Sequence, residues 1–314
     1  MNKAFSIIIW VVALGIFLYT LPEFAVYFGF RLPDPSRSSA IVMISEDAGK
    51  VFDKTYWMDS SSPTVYDFEI DSREPSFIYA ATDQGLFISR DTGSHWYNYS
   101  DLEGRLAGAT VYQIEKAVNN PGRLFISLFK NGQAGIYETS DRFFTLKKIF
   151  DTEEAAAYKV ISSGDKIYFG LSDGRLLSYS FEDFGFSLLA AVGSAITDII
   201  LEGPKIYVAT KNKEIWEGST SGQDFFRRPE KQISQSAYTA SLLGATLDTV
   251  VAKKPIKFIL PDGDGRIYLA AADKLYKTSN QGQDWQLLLD VPGRQIYSLD
   301  FGVNGKIIVG TGVE

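Results

Sequence analysis

The chain opens on one unbroken apolar run and then settles into short apolar stretches that recur at a nearly constant distance. Residues 4 to 21, from Ala4 to Leu21, carry no charge, and at about 1.5 Å of helical rise per residue such a run spans the hydrocarbon core of a bilayer. Pro22, Glu23 and a second apolar patch from Phe24 to Phe30 follow, instead of the small residues a cleavage site needs. The expectation is therefore a retained transmembrane anchor over 1–30, not a removed signal peptide. Lys3 and the amino terminus on one side balance Arg31 and Arg37 on the other, so charge alone leaves the orientation open. Residues 31–40 hold two prolines and three serines and read as a tether.

Beyond residue 41 one strand pattern returns six times without gaps. The copies are Ile78 to Thr82, Leu124 to Leu128, Ile167 to Leu171, Ile206 to Thr210, Ile267 to Ala271 and Ile307 to Thr311. The steps between them are 46, 43, 39, 61 and 40 residues, a period typical of propellers and solenoids if the long step carries an insertion at 231–252. A preceding strand begins near Val65, Val111, Tyr158, Ile196, Ile256 or Ile296, and turns such as Asn119-Asn120-Pro121-Gly122 and Asp262-Gly263-Asp264-Gly265 join the two into hairpins. A third strand follows, as in Gly85-Leu86-Phe87-Ile88.

Directly after that third strand comes Ser89-x-Asp91-x-Gly93-x-x-Trp96, with Ser45-x-Asp47-x-Gly49-x-x-Phe52 and Thr278-x-Asn280-x-Gly282-x-x-Trp285 in phase with it. Partial copies are Thr139-x-Asp141, Asp183-x-Gly185-x-x-Leu188 and Gly222-x-x-Phe225. The acid can accept hydrogen bonds from the turn's own amides, the glycine supplies a left-handed backbone, and the large residue covers the sheet. The pattern resembles the Asp box of bacterial neuraminidase-type repeats, and the chain is most similar to the propellers of photosystem II assembly factors and sortilin-type receptors. That resemblance implies an all-β propeller over 41–314, and the repeat count gives six blades, with seven as the alternative. The last repeat, from Ile296, supplies two strands and the segment Ile41 to Phe52 supplies a third strand and a turn motif, so both chain ends are expected to complete one blade and leave no open sheet edge.

Composition narrows the chemistry. A net charge of −7 with scattered Lys and Arg excludes a grip on nucleic acid. With no cysteine, thiolate metal sites and disulfides are excluded, and the one histidine, His95, has no second histidine to work with. Sialidases of the resembled group use an Arg-Ile-Pro segment that is missing here, while Arg123 and Arg266 fall in first-to-second-strand turns, away from the usual cleft. The acidic turn at Asp262 lacks the third acid and distal Glu of a calcium loop. No catalytic, cofactor or metal residues are assigned, and most aromatic side chains are expected to pack inward from strand positions.

The turn motifs and the first-to-second-strand turns share one face, so variation is free on the other. That face is expected to carry Asp83, Gln84, Lys130, Asn131, Asp173, Lys211, Lys213, Asp273 and Lys274, together with the insertion. Mixed charge suits a polar protein surface. The expected function is a non-enzymatic extracytoplasmic propeller, held at the cell membrane by its helix, that binds a protein or part of a membrane complex. The alternative is a membrane-tethered glycoside hydrolase or lectin, with carbohydrate as the partner. If the anchor is retained and the propeller translocated, protease added to intact cells degrades the propeller and the mature chain keeps its first residues. A mature chain starting near residue 30, or full protection, would refute the respective half of this expectation.

Overall fold

The structure is a computed structural model that describes residues 38–57, 62–212, 214–228, 256–262, 264–280 and 284–313. The anchor, residues 31–37 of the tether, the insertion at 231–252, Lys213 and Gly282 lie outside the described residues. Among the described residues no helix is long and apolar enough to cross a membrane.

The regular structure of the described residues is almost entirely β-strand. β1 (Ser38–Ser45) and β2 (Asp53–Trp57) form an opening hairpin. An antiparallel meander follows in β3 (Val65–Ile70), β4 (Ile78–Thr82), β5 (Gly85–Ser89) and β6 (His95–Tyr99). The second meander is β7 (Thr110–Ala117), β8 (Asn120–Lys130), β9 (Gln133–Thr139) and β10 (Lys147–Thr152). The third is β11 (Ala157–Ser163), β12 (Lys166–Leu171), β13 (Arg175–Ser180) and β14 (Phe186–Ala191). The fourth is β15 (Ile196–Glu202), β16 (Lys205–Thr210), β17 (Ile215–Ser219) and β18 (Phe226–Arg227). The fifth is β19 (Ile256–Pro261), β20 (Ile267–Ala271), β21 (Lys274–Thr278) and β22 (Gln286–Asp290). β23 (Gln295–Phe301), a 3₁₀ turn at Val303–Gly305 and β24 (Ile307–Gly312) end the chain. Every recurring strand of the sequence pattern falls within the second strand of a sheet.

These second strands explain the stacking. β4 is buried at all five positions, because Ile78 and Ala80 pack toward the opening hairpin while Tyr79 and Ala81 pack toward the second meander. A strand apolar on both faces needs a sheet on each side. The same division recurs along β8, where Leu124, Ile126 and Leu128 face the first meander and Phe125 faces the third.

The two chain ends meet in one sheet of order β23-β24-β1-β2. β1 pairs antiparallel with β24, Val42 opposite Gly310 and Ile44 opposite Ile308. The outer strand of this closing sheet also continues sideways, because β2 runs parallel to β6 with Trp57 opposite Trp96. Closing sheet and first meander therefore form one eight-stranded sheet. The indoles of Trp57 and Trp96 stack at 5.7 Å in this seam, with Phe68 and Phe87 against them.

Turns between third and fourth strands share a hydrogen-bond pattern. Ser89 Oγ donates to Asp91 Oδ1 (2.8 Å) and accepts from the Gly93 amide (2.7 Å), while Asp91 also accepts from the His95 amide (2.9 Å). Ser45 and Asp47 repeat it with the amides of Gly49 and Lys50, and the Ser45 hydroxyl and Val51 amide hold the Asp47 carboxyl below the usual carboxylate range. Thr139 and Asp141 bond the amides of Phe143 and Thr145 in the same way, and Thr278 with Asn280 bonds that of Asp284. Gly93 has φ +94°, and a Cβ there would stand 2.7 Å from Ile44 Cδ1, so another residue would strain the backbone and displace the Ile44 methyl. The second meander departs from this: Phe143 stands at the glycine position with φ +65°. Its ring is fully buried against Tyr79 at 4.9 Å, and Leu146 fills the tryptophan position. Neither was singled out by the motif, although its phase points to both.

The turn expected at Asp183, Gly185 and Leu188 is corrected. β13 ends at Ser180, so the pattern is counted from there: the left-handed residue is Phe184 (φ +54°), not Gly185, and Leu188 is 61% exposed and covers nothing. Asp183 still accepts from the Gly185 amide at 3.1 Å. Of the covering aromatics Trp96 is fully buried, whereas Phe52 and Trp285 are half-buried. His95 is half-buried, with Nδ1 2.5 Å from Asp91 Oδ2 and its ring stacked on Tyr56.

Two stability outcomes follow. Deleting residues 303–314 removes β24, unpairs β1 and opens two sheet edges, so the cooperative melt should be lost and aggregation should appear; a truncated chain melting like the intact one would refute the closure. Trp96→Ala should cost about 3–5 kcal/mol in denaturant unfolding, and Trp285→Ala clearly less, because only the first indole is wholly enclosed.

Candidate functional site

The first strands of the sheets stand side by side: β23, β3, β7, β11 and β15 contact one another in that order, and β19 contacts β23. Each of the six carries a β-bulge near its start, at its second residue or, in β7 and β23, at its third, where the pairing register slips. A bulged residue is released from the ladder and its side chain re-aimed, which is why bulges concentrate at binding sites. Those so placed on β3, β7, β11, β15 and β23 are Tyr66, Tyr112, Tyr158, Thr197 and Tyr297.

The four tyrosines belong to consecutive strands, and their rings touch in sequence. Tyr297 meets Tyr66 edge-on at 6.1 Å, Tyr66 meets Tyr112 at 5.8 Å, and Tyr112 meets Tyr158 at 5.0 Å. All four are half-buried. Burial, helped by the charge of Asp83, pushes the Tyr66 phenol up to about 12, and burial also raises Tyr112. Both phenols are therefore neutral donors at physiological pH. The expectation that strand aromatics pack inward fails for this arc, because the bulge breaks the alternation on which it rested. A tyrosine at the second or third place of four first strands was the signal available in the sequence.

One step further along the same strands lies a layer of polar groups that join neighbouring sheets. Asp67 Oδ2 accepts from the Ile114 amide (3.0 Å), Gln113 Oε1 from the Val160 amide (2.6 Å) and Glu115 Oε1 from the Ser162 amide (2.8 Å). Ser298 donates to the Val65 carbonyl at 3.0 Å, tying the closing sheet to the first meander. Lys116 pairs with Glu69 at 2.7 Å and Lys159 with Asp198 at 3.4 Å. Desolvation pushes Asp67, Glu115 and Asp300 each up to about 7. Burial alone would lower Lys159, but Asp198, Asp67 and Glu115 outweigh it and hold its ammonium above the usual range.

The turns between second and third strands open on the same face as the tyrosines. Thr64, just before β3, donates its amide to Asp83 Oδ1 at 2.9 Å, and the turn amides of Ser172 and Lys211 bond Ala156 and Ala195, just before β11 and β15. Asp83 and Gln84, Lys130 and Asn131, Asp173, Lys211, and Asp273 and Lys274 all lie in these turns. Several are engaged within the fold. Lys130 Nζ donates to the Gly104 carbonyl at 2.8 Å, Asp173 holds Arg175 at 2.6 Å, and Lys274 pairs with Asp290. Lys211 is exposed. The structure thus surrounds the tyrosine arc with these residues but commits part of their charge to neighbours.

No protein-family model matches this sequence, and a search of curated proteins finds no match either. The structure is similar to that of YCF48 from Cyanidioschyzon merolae, with a TM-score of 0.60 and 10% identity over 80% of this chain and 97% of that one. It is similar to the WD40 β-propeller domain of Doa1, with a TM-score of 0.54 and 12% identity over 81% and 91% of the two chains. YCF48 bound to D1 peptide gives a TM-score of 0.50 and 10% identity over 81% and 93%. Likeness at such identities concerns the fold alone: the stacked four-stranded sheets are those of a β-propeller.

Titration of the inner layer should be visible in stability. Asp67, Glu115 and Asp300 bind protons more readily folded than unfolded, so their contribution is complete below about pH 4 and is lost as pH rises through about 7. This contribution to the melting temperature should fall between about pH 4 and pH 7 and level off above that. Asp67→Asn keeps an acceptor for the Ile114 amide and should flatten that fall, raising the melting temperature at pH 8.5. An unchanged profile in this variant would show that Asp67 is not its source.

Proposed function

We propose that this protein is a membrane-anchored, extracytoplasmic propeller of six Asp-box blades that binds a protein partner and performs no catalysis. The observation that carries the reading is the arc of four half-buried tyrosines, each released by a bulge on consecutive first strands and ringed by variable turns. Tyrosine supplies broad contact area at low entropic cost together with a hydroxyl donor, which suits a protein segment laid across the face. The fold-level likeness to YCF48, one structure of which is bound to D1 peptide, supports a peptide partner and, with the apolar segment at 4–21, a role beside a membrane complex.

A carbohydrate-binding reading draws on the same rings, and carboxyl groups raised to about 7 beneath them are what a glycosidase acid requires. Asp67 and Glu115, however, each hold a backbone amide of the neighbouring sheet. That bond fixes them as links between sheets and leaves them poorly placed to change partners during a reaction. Binding is therefore favoured over hydrolysis.

The test places a photocrosslinking amino acid at Tyr112 and, separately, at Thr92 on the opposite face, in the full chain in its own cells. Protein adducts from position 112 and none from 92 are expected, with no signal on a glycan array and no turnover of generic glycosidase substrates. Glycan binding lost in a Tyr112→Leu variant, or adducts from position 92 alone, would overturn the proposal.

A further inference from the structure

Resting on that reading, we infer that the bound segment presents an arginine or lysine side chain to the tyrosine arc. A ring face is negative, and a cation within about 6 Å of it is attracted, more strongly where water is excluded. Here four ring-bearing positions converge, with centroid separations of 5.0 to 6.1 Å between neighbours. One cationic head group can then contact more than one ring.

Charge beneath the arc points the same way. The first strands carry six acids, Asp67, Glu69, Glu115, Asp198, Glu202 and Asp300, against Lys116, Lys159 and Lys257. Lys116 is taken by Glu69 and Lys159 by Asp198. Asp67, Glu115 and Asp300 make no ion pair with a described residue and are held by backbone amides, those of Ile114, Ser162 and Phe301. Desolvation outweighs the pull of Lys159 on Asp67 and Glu115 and of Lys116 on Asp300, and this raises their proton affinity. A cation arriving above them adds to a positive charge that is outnumbered on these strands, whereas a carboxylate or phosphate would meet repulsion, and the chain's net charge of −7 steers basic segments toward it.

The experiment is a selection of random linear peptides by the immobilised full chain, followed by affinity measurements on the enriched sequences. Enriched peptides should share an Arg or Lys at one fixed place. Replacing that residue by citrulline or glutamine should weaken binding about tenfold, as should Tyr66→Leu or Tyr112→Leu, while Tyr112→Phe, which keeps the ring, should bind within about threefold of the parent. Peptides with no fixed basic residue whose capture still depends on Tyr66 and Tyr112 would overturn this inference and leave the proposed binding face standing. Peptides indifferent to the tyrosines, or no enrichment at all, would overturn both. Should a leucine variant lose its cooperative melt, a photoreactive residue beside the basic position decides in the unmodified chain: adducts on Tyr66, Tyr112, Tyr158 or Tyr297 support the inference, and adducts elsewhere refute it.

Discussion

Burial of the second strand on both faces governs this molecule. A stretch such as Ile78 to Thr82 cannot be satisfied by one neighbour, since its alternate side chains point to opposite sides and all are apolar or small. Each sheet therefore creates a demand for the next, and a linear stack would leave one unsatisfied face at either end. Sharing the closing sheet between β23-β24 and β1-β2 joins the two chain ends inside the stack, with the fifth meander on one side and the first on the other. The seam tryptophans, the turn motifs and the amide-holding side chains of the first strands all depend on sheets already being brought face to face.

The second strands were the most legible part of the sequence because their constraint is strict: burial on two sides tolerates little but Ile, Val, Leu, Ala and aromatic residues, and that signal survives divergence between repeats. The third-to-fourth-strand turns were legible where Ser or Thr and Asp or Asn are both present. They were misread at Asp183, where the hairpin is anchored by Ser180 and the nearby glycine belongs to the following strand's approach. Phe143 shows the limit from another side: burying its ring against Tyr79 compensates for a left-handed backbone that glycine would otherwise supply. The tyrosine arc went unread because it depends on a bulge, and a bulge shifts a residue out of the two-residue alternation that makes strands recognisable.

Two layers on the first strands divide the work between structure and recognition. Asp67, Gln113 and Glu115 spend hydrogen-bonding capacity on neighbouring sheets, and so cement the centre with groups that would otherwise be costly to bury. The tyrosines just above them stand at the bulges and remain half open. Rigid support under adaptable contacts is the arrangement that a binding surface needs, since the rings are held by packing before any partner arrives. The surrounding turns can then differ from repeat to repeat without disturbing the sheets.

The parallel pairing of β2 with β6 has a meaning in time. During synthesis the opening hairpin emerges long before its final neighbour β24, with the whole array of sheets between them, and contacts so distant in sequence form late. An unpaired hairpin waiting through that interval would offer its edge to any passing chain. β6 emerges about forty residues after β2 and gives it a partner at once, Tyr56 beside His95 and Trp57 stacked on Trp96. The first-made strands are thereby berthed against the first completed sheet, with β1 held in register for a strand that has not yet left the ribosome.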